Sequence, residues 1–151
     1  MRIEFISAAA EDSARLTPLA LATLAALTPP DIDVGFSDDQ IHPIDLNDGF
    51  QGADLVAISV MSKTAYRAYQ IADACREKGV KVVLGGIHPT VLPEEASAHA
   101  DVVVVGEAEI LWPRDQPSDG KTVRRSLFAF LSRKRREAPQ RGRGAYLRRF
   151  I

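Results

Sequence analysis

The residues best placed to do chemistry in this chain stand at the ends of short apolar runs. Gly85-Gly86 closes the run Val82-Val83-Leu84, and Gly106 closes Val102–Val105. Glycine after a buried strand either makes a tight turn or removes a side chain where another body comes close. Groups able to hydrogen-bond stand nearby: Ser59-Val60-Met61-Ser62-Lys63-Thr64, His88-Pro89-Thr90 and Glu107. Hydroxyls in such loops either hold a ligand's polar groups or cap the next helix, and Ser62 or Thr64 suits capping. Glu107 and Glu109 fall in a first helical turn, where the macrodipole favours acids. Glu107, nearer the strand end, can also accept bonds from ligand amides or hydroxyls. Small residues in three loops on one edge point to a broad, shallow platform for a large flat ligand. Other chemistries are thinly supplied. Histidine is a common metal ligand, but His42 precedes Pro43 in a connector, His88 lies among the glycine loops and His99 near a helix end. Cys75 falls mid-helix and reads as a small core hydrophobe. The dinucleotide pattern G-x-G-x-x-G is absent, which weighs against a nicotinamide or flavin dinucleotide.

The elements that must position these residues follow from hydrophobic pattern. Strands are predicted over Arg2–Ser7, Ile32–Phe36, Leu55–Val60, Val80–Leu84 and Asp101–Val105. Their near-continuous apolar character belongs to strands covered on both faces, as in a parallel sheet. Helices are predicted over Pro18–Leu27, Thr64–Lys78, Pro93–His99 and Glu107–Pro113. Thr17 can cap the first, with Pro18 at its opening position. Ala65, Tyr69, Ala72 and Arg76 share one face of the second, and Gly79 stops it. Such alternation implies right-handed crossovers and an α/β, doubly wound, five-stranded parallel sheet. Ligands of such sheets sit outside the strands' carboxyl ends, where strand order reverses.

Charge divides the chain. Residues 1–120 hold 8 Lys+Arg against 19 Asp+Glu, whereas residues 121–151 hold 11 Lys+Arg and one acid, Glu137. The break places a folded body over residues 1–114 and a basic tail, partly helical or disordered, over 115–151. Within the tail, Val123–Arg136 sets Leu127, Phe128, Phe130 and Leu131 among basic neighbours. It reads as a basic amphipathic helix for anionic lipid, nucleic acid or an acidic partner. It reads equally as the remnant of a truncated or shifted frame. No apolar run approaches the roughly 20 residues that span a bilayer. One cysteine and an acid inside the first apolar run, Met1–Ile6, lead to a cytoplasmic expectation without a signal peptide.

Two blocks carry a resemblance: Gly85-Gly86-Ile87-His88-Pro89-Thr90, continuing through Pro93-Glu94-Glu95-Ala96, and Val104-Val105-Gly106-Glu107-Ala108-Glu109. With Leu16–Leu19, Leu24–Leu27, Ala53–Met61 and Arg67–Asp73, residues 1–114 are similar to the N-terminal cobalamin-binding domain of cobalamin-dependent radical SAM proteins. The resemblance implies a flavodoxin-like (Rossmann-like) fold holding cobalamin at the carboxyl edge of its sheet. It implies a nucleotide tail running along the loops of Ser59, Met61 and Thr64, with clearance from Gly85 and Gly86. His88, Pro89, Thr90, Gly106 and Glu107 would flank that tail, while the corrin lies near Thr17, Asp38, Asp39 and Gln40. Many such domains carry D-x-H-x-x-G in loop one, whose histidine ligates cobalt. Loop one here, Ser7–Thr17, has none, so the expectation is base-off cobalamin without that ligand.

The family's radical chemistry needs a [4Fe–4S] cluster on three cysteine thiolates. Cys75 alone cannot supply them, so no iron–sulfur cluster and no catalysis are expected of these residues on their own. The function expected is a cobalamin-binding module serving a separate radical SAM catalytic chain. The alternative is a cofactor-free flavodoxin-like regulatory or protein-interaction domain. A phosphorelay receiver would want an aspartate where Ser59 stands and a lysine near Gly106-Glu107.

Overall fold

The structure, a computed structural model, describes residues 1–10, 18–47, 50 and 52–112, together with the backbone of Ala145–Arg148. Strands alternate with helices except between the second and third strands: β1 (Arg2–Ser7), α1 (Leu19–Leu27), β2 (Asp33–Asp38), β3 (Leu55–Ser59), α2 (Ala65–Glu77) and β4 (Lys81–Gly85). There follow α3 (Ile87–Val91), α4 (Pro93–His99), β5 (Val102–Val105), α5 (Ala108–Leu111) and a sixth strand, β6 (Ala145–Arg148). The sheet order is β2-β1-β3-β4-β5-β6, and every pairing is parallel. The chain runs outward from β1 to β2, then returns past β1 to β3, so the order reverses beside β1. This is the doubly wound, flavodoxin-like arrangement, and its five expected strands all form.

Residue alternation splits the apolar strands between two cores. Ile3, Phe5, Leu55, Ala57, Val83, Val102 and Val104 join Leu21 and Leu24 of α1 and Trp112. Ile6, Val56, Ile58, Val82, Leu84 and Val103 pack instead with Ala68, Tyr69, Ile71, Ala72 and Cys75 of α2. Covering both faces leaves the central strands β3, β4 and β5 nearly all apolar. Burial pushes the Cys75 thiol up to about 12, as befits a core residue and not a reactive one. α2 ends as its sequence foretold: Gly79 has φ +76°, and the Val80 N–H donates to the Cys75 carbonyl at 3.0 Å.

Three features depart from the sequence reading. β6 pairs with β5 from Val102↔Ala145 to Val105↔Arg148, within the segment expected to be a partly helical or disordered tail. α3 is a turn of helix that the pattern hides because Pro89 stands inside it. Thr64 does not cap α2; after a 3₁₀ turn over Ser62–Thr64, its hydroxyl accepts the Met61 N–H at 3.1 Å. The expected helix over Val123–Arg136 and the capping residue Thr17 lie outside the described residues. Among the described residues, no helix is long and apolar enough to cross a membrane.

Candidate functional site

β3, β4 and β5 deliver their carboxyl ends to one cavity of about 330 Å3, on the α1 side of the sheet. Its floor is the sheet face at Ala57, Val83 and Val104. Leu21 and Leu24 of α1 and Trp112 form one wall, and Ile87 and Val91 of α3 stand at the other. Six residues singled out from sequence line it: Ser59, Gly85, Gly86, Thr90, Gly106 and Glu107. The walls are mostly apolar, with hydroxyl and carboxylate groups near the strand tips. That combination suits a ligand part with a flat apolar body and a few polar atoms.

The three glycines are there for different reasons. Gly86 has φ +104°, and a Cβ built on it would lie 2.8 Å from the Val60 carbonyl oxygen, so the protein's own backbone demands glycine. Gly86→Ala is therefore expected to cost about 1–3 kcal/mol of stability in thermal or denaturant unfolding. Gly106 has φ +88°, and among the described residues a Cβ there would have nothing within 4 Å, so it is the backbone conformation that calls for glycine. Gly85 has no such need. Among the described residues a Cβ there would meet only Val104 Cβ, at an ordinary 3.6 Å, on the side of the cavity that Gly85 lines.

The remaining candidates lie elsewhere. Met61 and Thr64 are engaged with each other in the turn before α2 and do not line the cavity. His88 and Pro89 are buried. His88 turns toward α2 and α4: its ring lies 6.0 Å from that of Tyr69, with Nε2 3.0 Å from Glu95 Oε1 and Nδ1 3.4 Å from Ser62 Oγ. The hydrogen bond from His88 holds the exposed Glu95 carboxyl below its ordinary value. His42 is exposed, and His99 pairs with Asp73 and stacks on Tyr69 at 4.2 Å. Gln40 belongs to the turn after β2, its N–H bonded to Asp38 Oδ1 at 2.9 Å. Thr17 lies outside the described residues.

Asp39 plays a role the sequence does not disclose. It is 3% exposed and takes a two-pronged bond from Arg67 of α2, Nε to Oδ2 at 2.8 Å and Nη2 to Oδ1 at 2.7 Å. It also accepts the N–H groups of Ala9, at 3.1 Å, and Ile44, at 2.7 Å. Burial alone would raise this carboxyl. The Arg67 guanidinium and the two N–H groups outweigh burial and hold it below its ordinary value. The pair ties the loops after β1 and β2 to α2 at the carboxyl edge. Trp112 is a second residue that sequence reasoning passes over. It is 2% exposed, its Nε1 donates to Thr28 Oγ1 at 2.9 Å, and its ring meets Phe5 at 5.5 Å. The available signal is that it is the chain's one tryptophan, directly after the short helix α5.

An α/β sheet with glycines at its carboxyl tips and an open, apolar cleft beside them defines a cofactor-binding domain of the doubly wound class. The family model for the B12 binding domain matches residues 8–113, and the chain belongs to that family. It is 45% identical over 105 residues to the bacteriochlorophyllide d C-8(2)-methyltransferase of Chlorobaculum tepidum, covering 68% of this chain and 23% of that protein. It is 40% identical over 95 residues to the bacteriochlorophyllide d C-12(1)-methyltransferase of the same organism, covering 63% of this chain and 21% of the relative. The chain thus matches less than a quarter of the length of either relative. No solved structure matches it.

Proposed function

We propose that this cobalamin-binding module presents its cofactor to a methyl-transferring catalytic unit. The nucleotide tail lies in the cavity beneath α1, flanked by Ser59, Gly85, Gly86, Thr90, Gly106 and Glu107, and the corrin rests on the carboxyl edge near the Asp39–Arg67 pair. When bound, cobalamin supplies a cobalt centre able to carry a methyl group. With the tail held in this cavity the cofactor would be bound base-off, and Ser7–Thr17 contains no histidine to take the base's place. The partner is a radical SAM catalytic unit of the kind the sequence resembles. Its substrate, by likeness to the two methyltransferases, is a chlorophyll-type macrocycle. The basic residues 121–151 offer charge to an acidic partner, nucleic acid or membrane surface.

The observation that carries this reading is the open cleft beside Gly85, a glycine the protein's own packing does not require. Mixing the purified protein with hydroxocobalamin, desalting and recording the visible spectrum tests it. Retention of one cobalamin per chain, with a base-off spectrum, is expected. A colourless protein after desalting refutes cofactor binding and leaves the cofactor-free interaction domain.

A further inference from the structure

We propose that Thr90 is a positioning residue for the cofactor: its hydroxyl latches the two glycine loops together and so fixes the width of the cavity mouth. The inference rests on the cobalamin reading above. Its origin is the way the sheet comes apart at its tips. β3 and β4 remain joined there by backbone, with the Val60 N–H donating to the Gly85 carbonyl at 2.8 Å and the His88 N–H to the Val60 carbonyl at 3.1 Å. β4 and β5 pair only at Val83↔Val102 and Leu84↔Val103, so their ladder stops short of Gly85 and Gly106.

Thr90 spans that gap. Its hydroxyl donates to the Gly86 carbonyl at 2.8 Å and accepts the Gly106 N–H at 3.0 Å. A helical threonine commonly bonds back to the carbonyl four residues earlier, which explains the first contact. It does not explain the second, which reaches sixteen residues along the chain to another strand's loop. Among the described residues Gly106 has no steric stop on its open side, since none of them lies within 4 Å of where its Cβ would be. The hydroxyl is thus what sets the separation of the β4 and β5 tips. α3 is held in the orientation this needs by His88, anchored at Glu95 and Ser62 on the side away from the cavity.

The test compares Thr90→Val, which keeps the shape and removes the hydroxyl, with Thr90→Ser, which keeps the hydroxyl. Two readouts are needed: affinity for cobalamin against cobinamide, the corrinoid without the nucleotide arm, and amide exchange at Gly106 in cofactor-free protein. Thr90→Val is expected to bind cobalamin about tenfold more weakly, the scale of one lost hydrogen bond, with cobinamide affinity unchanged. The Gly106 amide is expected to exchange on the order of tenfold faster. Thr90→Ser is expected to restore wild-type values. If wild type prefers cobalamin while Thr90→Val matches it in affinity, or leaves Gly106 exchange unaltered, the latch is overturned and the cobalamin reading stands. If wild type retains neither corrinoid, the cobalamin reading itself fails and the cofactor role of Thr90 falls with it.

Discussion

Gly85→Val is expected to weaken cobalamin binding by about ten- to a hundredfold while the domain stays folded. Forcing extra methyl groups into an occupied, close-fitting space costs roughly 1–3 kcal/mol or more, and each 1.4 kcal/mol is tenfold in affinity. The cofactor-free protein is expected to tolerate the change because, among the described residues, the new Cβ meets only Val104 at an ordinary 3.6 Å and Gly85 borders an open cavity. Cobinamide, with no arm to place there, should bind Gly85→Val as it binds wild type. Circular dichroism and the thermal midpoint check the fold, and a binding titration checks the affinity. Gly86 is no substitute in this experiment: a side chain there strikes the Val60 backbone, so weakened binding would report damage to the fold.

Asp39→Asn is expected to cost about 3 kcal/mol of stability, a loss on the order of 10 °C in the thermal midpoint. The Asp39 carboxylate is buried at the meeting of three segments, and its removal leaves the Arg67 guanidinium without its counter-charge where solvent only partly reaches it. The same pair sets a pH dependence. Because the folded state lowers the Asp39 pKa, its contribution is fully present above the unfolded carboxylate value, about 4, and is lost as pH falls through the folded value. The gap in stability between wild type and Asp39→Asn should therefore be widest near neutrality and narrow in acid. A gap that stays constant down to pH 3 would show that the charge on Asp39 is not what holds these loops.

Much of this fold is legible in the sequence because strands buried on both faces leave a near-continuous apolar trace. Arg2–Ser7 and Pro93–His99 agree to the residue for that reason and because a proline opens α4. β2 is shifted from its expected bounds, since Val34 and Phe36 on an edge strand are exposed and the apolar run gives no firm boundary. β6 escapes a reading of local pattern because Ala145-Tyr146-Leu147-Arg148 stands among basic residues and pairs only through a long-range contact. At the site, glycines and hydroxyls betray the strand tips, yet which way each side chain turns is decided by packing. His88 and Thr90 are two residues apart in one short helix, and they face α2 and the cavity respectively. Asp39 reads as a ligand-side loop residue because its partner, Arg67, lies 28 positions away.

The most direct measurement is a crystal structure of the protein with cobalamin bound. The benzimidazole of the nucleotide arm is expected between α1 and the sheet, against Gly85 and near Trp112, with the base detached from cobalt. A corrinoid bound with its base still on the metal and the cleft beneath α1 left vacant would contradict it.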